Sequence, residues 1–251
     1  MLFNAISFNI RCCNDPNGNS VKERASRLKK IIFNYNPDII GFQEHTPLWE
    51  PYICEDYGEE YEIFNIYRAK NELESSPILW KSDKFEFVKA DYFWLSDTPN
   101  VESRGWDEIY NCYRMCVCVK LIDKSEGKIL NVINTHFGFG DNGQVKSVNL
   151  INEFCQKLSN EPICILGDFN MTPESIAYNQ MIKYFHDVNA ITVKDYSETF
   201  HGYNPGSNKG EHIDYCFIND SIKSKSYHVI NEKVNNKYPS DHFGLFLQLQ
   251  I

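Results

Sequence analysis

Apolar and polar residues alternate near the start of the chain. Ile6, Phe8 and Ile10 are separated by Ser7 and Asn9, the two-residue period of a strand over about 3–10. The period then changes. Val21, Ala25, Leu28, Ile31, Ile32 and Tyr35 recur at helical spacing, which predicts an amphipathic helix over 21–35 that Pro37 cannot continue. The run from Asp38 to Gln43 reads as a short, fully buried strand. A β-rich stretch follows, with strands expected near 60–67, 76–81, 85–95, 113–122 and 129–135. Val145, Val148, Ile151, Cys155 and Leu158 predict a second helix over 144–158. A buried strand from Pro162 to Leu166 comes next, then a helix over 174–184 and strands near 213–218, 225–231 and 243–250. Strands exceed helices, and the helices fall between strand pairs. That arrangement fits an α/β (α+β) fold of two packed mixed sheets with helices outside. No repeat, low-complexity tract or linker interrupts it, so residues 1–251 read as one domain.

Composition narrows the class. The chain is 42% hydrophobic and 14% aromatic, which excludes a disordered protein. No apolar run approaches the ~18 residues of a membrane helix. Met1 to Ala5 lacks the basic start and apolar stretch of a secretory leader, so the expectation is a cytoplasmic protein without stable membrane association. Nine cysteines cannot all pair internally, and Cys116, Cys118, Cys164 and Cys216 sit in apolar runs, as reduced core thiols do. Cys12-Cys13 and Cys116-x-Cys118 lack zinc-site spacing. The net charge of −9 works against a protein that coats long nucleic acid.

Six segments carry residues with chemistry, each following or ending an apolar run. Asn9 lies in an apolar strand, where an unsatisfied amide is costly. Glu44 follows a buried strand, so it is solvated, paired or metal-bound. His136 ends the run Ile129 to Ile133. Asp168 and Asn170 lie two apart after Ile163 to Leu166 and would share a face on extended chain, with Gly167 permitting close backbone approach. Asp214 enters another apolar run, and Asp241-His242 precedes the last strand. Singly, each has an ordinary structural reading. Together they supply hard oxygen donors (Glu44, Asp168, Asn170, Asp241) suited to Mg²⁺ or Mn²⁺, and imidazoles for proton work. There is no serine elbow and no glycine-rich phosphate loop.

In this order the residues resemble the endonuclease/exonuclease/phosphatase superfamily from Phe8-Asn9 to Asp241-His242. The small single-domain bacterial members are nearest, sharing features like Arg104-Gly105-Trp106-Asp107 and Glu198-Thr199-Phe200-x-Gly202-Tyr203. The resemblance implies a four-layered α/β sandwich. It also implies roles: Glu44 as principal metal ligand, with Asn9 and Asp241 in or near its shell. Asp168 and Asn170 would position the attacking water and a phosphate oxygen, or hold a second metal. His242, oriented by Asp214, and His136, supported by Glu74, would contact the phosphate as cationic donors. Arg114 would be a further phosphate contact, and Asp168 the general base.

The implied activity is divalent-metal-dependent hydrolysis of a phosphoester: nucleic acid, nucleotide or small metabolite. A phosphodiesterase or nuclease is the first expectation. An enzyme for a small metabolite or lipid headgroup is the second, and a non-catalytic binding protein the third. No obligate protein partner is evident. Two departures thin the positive charge near the phosphate: the glycine-rich segment 137–144, and His212 where arginine is common. Met171-Thr172-Pro173 departs from the 5-phosphatase pattern, and no apolar hairpin suggests a sphingomyelinase. Tyr92, Trp94, Trp106 and Tyr110 are candidates for base stacking, though for each a packing role is the plainer reading.

Overall fold

A computed structural model describes residues 1–207 and 209–251. The first strand, β1 (Leu2–Asn9), lies parallel to β2 (Ile39–Gln43) and antiparallel to β14 (Gly244–Gln250). With β13 (Lys223–Ile230), β6 (Ile78–Lys81) and β3 (Tyr61–Phe64) they form a six-stranded sheet in the order β13-β14-β1-β2-β6-β3. A second six-stranded sheet is built on β10 (Ile163–Asp168), which runs parallel to β9 (Ile129–His136) and antiparallel to β12 (Asp214–Ile218). β8 (Met115–Asp123) and β7 (Phe85–Trp94) extend it on one side and β11 (His186–Asp187) on the other. A small hairpin of β4 (Tyr67–Ala69) and β5 (Glu72–Ser75) stands apart from both.

The sheets pack face to face. Phe3, Ala5, Leu245 and Leu247 of one meet Val117, Val119, Val132 and Leu166 of the other in a common buried cluster. Helices α1 (Val21–Tyr35) and α2 (Glu50–Tyr57) cover the outer face of the first sheet, over Ile6, Phe8, Ile40 and Phe42. Helices α3 (Asp141–Gln156) and α4 (Ile176–Met181) cover the second, over Cys118, Ile133 and Ile165. A short α5 (Val188–Thr192) packs on β13 and β12. The order is helix, sheet, sheet, helix: the four-layered sandwich expected. No described helix is long and apolar enough to cross a membrane, and all nine thiols are free.

The differences from the sequence reading have local causes. Ile6, Phe8 and Ile10 face α1, but the intervening Ser7 and Asn9 are also buried, because β1 is covered on both sides. The helix expected over 174–184 shortens to α4, capped by Ser175, whose hydroxyl accepts from the Tyr178 amide. The strand expected over 60–67 breaks after Phe64, and Tyr67 starts the separate hairpin. In α1, Ser20 and Glu23 form a capping box, and the helix ends at Asn36 in the left-handed region (φ 46°), just before Pro37.

Candidate active site

The C-terminal ends of the parallel pairs β1/β2 and β9/β10 reach the same edge of the sandwich, where β12 and the segment before β14 also begin. Each ends in a polar residue: Asn9, Gln43, His136 and Asp168, met by Asp214 and by Asp241-His242. Below them, Asn134 joins the sheets. Its amide donates to the carbonyls of Phe42 and Pro77, and its Oδ1 accepts from Gln43 Nε2 at 2.7 Å. These cross-sheet bonds satisfy the Asn134 side chain and help make the polar edge tolerable inside the protein.

Asp168 is at the centre, 1% exposed. Gly167 beside it is required by packing: a β-carbon there would lie 2.5 Å from the Thr135 carbonyl oxygen. The extended-chain premise for Asn170 does not hold, because β10 ends at Asp168 and Asn170 turns into the left-handed region (φ 46°). Its backbone N–H donates to Asp168 Oδ1 at 3.0 Å, and its side-chain amide donates to the Phe137 carbonyl. Asp168 Oδ2 is thereby turned toward Asn9 Nδ2 (2.9 Å), His136 Nε2 (3.5 Å) and His242 Nε2 (3.8 Å). Burial raises the Asp168 carboxyl above its ordinary range, against the pull of His136.

His242 is backed by Asp214, whose Oδ2 lies 2.9 Å from Nδ1. Thr199 fixes Asp214 by accepting the backbone N–H of both Ile213 and Asp214 at 3.0 Å. Burial disfavours charge on His242, but Asp214, Asp168 and Asp241 outweigh it and raise its pKa to about 10. His242 is therefore a cationic donor at neutral pH. His136 and Glu74 lie at ion-pair distance without a hydrogen bond. Glu74 Oε1 is 3.6 Å from His136 Nδ1, which has no hydrogen-bond partner, because that carboxylate is bonded to Arg68 at 2.5 Å. Arg114 turns away from the expected role: Nε and Nη2 both donate to Asp107 Oδ2 at 3.2 Å, and only Nη1 remains free at the pocket wall.

Glu44, with φ of 61°, points to the same space. Its Oε2 accepts from the Cys12 amide at 2.9 Å and its Oε1 from Asn9 Nδ2 at 3.1 Å. Burial pushes the Glu44 carboxyl up, but His136, the Cys12 amide and His242 bring it down to about 2. Asn9 Oδ1 accepts from the Arg11 backbone N–H at 3.0 Å, so Asn9 spaces the carboxylates and does not face the pocket with oxygen. Asp241 carries a raised pKa, mainly from burial, with Glu44 adding to it. Arg11 Nε lies 3.6 Å from Asp241 and 3.1 Å from Asp15. Eight of the ten site residues expected from the sequence line one cavity of about 490 Å³; Asn9 and Asp214 stand directly behind it.

A model of the Endonuclease/Exonuclease/phosphatase family matches residues 6–242. The chain belongs to this family. Its solved relatives include the endonuclease/exonuclease/phosphatase from Bacteroides vulgatus, 26% identical with a TM-score of 0.91 over 100% of this chain and 99% of that one. Another is a mannosyl-6-phosphatase from Bacteroides thetaiotaomicron VPI-5482, 27% identical with a TM-score of 0.89 over 99% and 100%. Protein L388 of Acanthamoeba polyphaga mimivirus is 29% identical over 165 residues, a match spanning 59% of each chain.

Members of the family are phosphoester hydrolases that generally use a divalent metal. The donor set here fits such an ion. Glu44, Asp168 and Asp241 place three carboxylates around one cavity, and Glu44 and Asp241 repel each other there. A hard cation would relieve that surplus. Asp168, Asp214 and His242 also cluster, with one ligand atom from each within 4.8 Å of the others. There, however, His242 Nδ1 already faces Asp214 at 2.9 Å, which leaves only its Nε2 to offer an ion.

Sequence reasoning missed Arg68, which holds Glu74, and Arg24, which holds the loop carrying Arg11 and Cys12. Arg24 is fully buried and donates to the carbonyls of Ile10, Arg11, Cys13 and Asn19. It had one visible signal, a charge inside the apolar stripe of α1 between Val21 and Ala25. His212 lies outside the cavity, bonded to the Ser197 carbonyl. The glycines of 137–144 are packing requirements: β-carbons at Gly138 and Gly143 would collide with Asp107 and Trp106.

Proposed function

We propose that the protein is a Mg²⁺-dependent phosphohydrolase, with Mn²⁺ able to substitute, whose substrate is a small phosphorylated molecule such as a sugar monophosphate. The observation that carries this reading is that the polar strand ends converge on a cleft of about 490 Å³, a size within the range of small-molecule sites. Its three arginines are already ion-paired: Arg11 with Asp15, Arg68 with Glu72 and Glu74, and Arg114 with Asp107. A polyanion would need a row of free cations leading from the site. The likeness to a mannosyl-6-phosphatase at 27% identity points the same way. The phosphodiesterase or nuclease reading stands second, supported by the exposed Tyr110 at the cavity.

On this reading Asp168 Oδ2 accepts a proton from water as its oxygen forms a bond to phosphorus. The bond from phosphorus to the leaving oxygen breaks, and that oxygen takes a proton from solvent water and leaves as an alcohol, while the proton held by Asp168 returns to solvent. A carboxyl raised by burial is a stronger base than an ordinary aspartate. The His242 imidazolium and His136 donate hydrogen bonds to non-bridging oxygens, where charge builds. A cation held by Glu44 and Asp241 would supply electrostatic stabilisation of the phosphoryl group and the leaving oxygen.

A hydrolysis panel tests the assignment. It compares hexose 6-phosphates, p-nitrophenyl phosphate, bis-p-nitrophenyl phosphate, and single- and double-stranded DNA, each with Mg²⁺ and with EDTA. The expected result is metal-dependent release of phosphate with monoesters preferred. Faster cleavage of DNA than of every monoester would refute it.

A further inference from the structure

Two aromatic side chains on the cavity wall take no part in the chemistry above. Tyr110 is 64% exposed, its ring edge-on to Phe139 at 5.3 Å, and both line the cavity. An exposed aromatic ring on a loop is ordinarily free to move. Here the loop is clamped. Asp107 Oδ1 accepts the backbone N–H of Ile109 (3.2 Å) and Tyr110 (2.8 Å). Glu108 N–H donates to the Phe139 carbonyl (2.9 Å), and the Glu108 carboxylate accepts from Gly143 N–H at the start of α3 (2.8 Å). The glycines beneath let this loop lie flat on segment 137–144. The same Asp107 holds Arg114 through its other oxygen, so one carboxylate fixes both the aromatic loop and the inner wall. Tyr110 is thus presented at the cavity by a rigid mount, its conformational cost already met in folding.

We infer that Tyr110, braced edge-on by Phe139, forms an aromatic wall that selects substrates whose leaving group is a neutral ring, the apolar face of a pyranose lying against the wall. The inference rests on the small-monoester reading and deepens it. The charge balance carries the word neutral: Arg11, Arg68 and Arg114 are each ion-paired, and among them Arg114 Nη1, 4.0 Å from Glu74, offers little unshared charge to a second phosphate on the leaving group. Exposed Glu211, also at the cavity, adds repulsion toward such a group and is a hydrogen-bond acceptor for ring hydroxyls.

The test is the ratio of kcat/KM for mannose 6-phosphate to that for glycerol 3-phosphate, a phosphomonoester without a ring, both with Mg²⁺. Y110A combined with F139A should lower this ratio about tenfold, mostly through KM for the hexose phosphate. Y110A alone should move it in the same direction, and its exposed ring makes loss of fold no obstacle. Y110F, which keeps the ring, should restore the ratio. Y92A, an exposed aromatic on β7 outside the cavity, serves as control and should leave it alone. A change of less than twofold in an active, folded double variant overturns the wall. Wild-type enzyme silent on both monoesters but active on DNA overturns the proposed function, and the wall with it.

Discussion

Asp214→Asn isolates the support of His242. The amide is nearly isosteric with the carboxylate, and Asp214 is buried with its backbone held by Thr199, so the fold should survive. Two things are lost. The hydrogen bond at 2.9 Å to Nδ1 becomes a neutral contact, and hydrogen bonds to charged groups exceed neutral ones by about 1–2 kcal/mol. The first-ranked positive influence on the His242 pKa is also removed, so burial, which favours the neutral ring, gains ground. If each contributes about 1.5 kcal/mol to stabilising the imidazolium as charge builds on phosphate, the combined loss of about 3 kcal/mol corresponds to roughly 150-fold in kcat. The measurement is kcat and KM at pH 7 with saturating Mg²⁺, beside circular dichroism and melting curves. The loss should fall on kcat, because the cation matters most where charge develops. A folded Asp214→Asn enzyme with kcat within threefold of wild type would refute the argument that His242 works as a held imidazolium.

The other expectations concern metal, stability and pH. Glu44→Gln should weaken Mg²⁺ or Mn²⁺ binding at least about tenfold by titration calorimetry, and EDTA should abolish phosphate release reversibly; undiminished activity in EDTA would remove the metal from the account. Arg24→Met leaves the carbonyls of Ile10, Arg11, Cys13 and Asn19 without their donor, which should cost about 3–5 kcal/mol, or roughly 6–20 °C in Tm. A drop below 2 °C would show that the guanidinium is not what holds that loop. Burial holds His45 and His201 down to about 4, below their unfolded value, so each lends stability above about pH 6.5 that fades as pH falls toward 4. Each is worth on the order of 3 kcal/mol over that window, and His45→Gln should flatten the urea-midpoint profile between pH 7 and 5; an unaltered slope would assign the acid sensitivity elsewhere.

The fold was legible where hydrophobic periodicity is long and unbroken. α1 carries a full apolar stripe, and β7 to β10 are largely apolar runs. α2 was not legible, because it buries only Ile53 and Tyr57 and so gives no stripe. The β4–β5 hairpin was hidden because its strands are short and mostly polar. In the site, residue types were legible and partnerships were not. Glu74 was placed correctly at the cavity, but its strongest bond goes to Arg68, six residues earlier on the same hairpin. Arg114 reached the cavity, but Asp107 takes its fork. Spacing along a chain says nothing about which of two nearby cations a carboxylate will choose. That choice depends on how the hairpin and the 105–112 loop fold against the sheet.

The position of the site is nonetheless written in the strands, in a form that the two-residue period alone conceals. On β1 the inward-facing residues run Phe3, Ala5, Ser7, Asn9; on β9 they run Leu130, Val132, Asn134, His136; on β10, Cys164, Leu166, Asp168. Read toward the same edge, β12 runs Ile218, Cys216, Asp214, and β14 runs Leu249, Leu247, Leu245 toward Asp241. In each, the period is kept while the chemistry changes from apolar to polar over the last one or two inward positions. An ordinary strand end becomes polar because it meets water. Here Ser7, Asn9, Asn134 and Asp168 are at most 1% exposed, so solvent does not explain the change. Buried polar groups of this density are tolerated only if they satisfy one another or await a ligand. Gln43 Nε2 donates to Asn134 Oδ1 across the sheets. Gln43 Oε1, Asp214 Oδ1, Arg114 Nη1 and His136 Nδ1 lack hydrogen-bond partners, and the Glu44 and Asp241 carboxylates face each other; this is the imbalance that the proposed ion and phosphate would relieve.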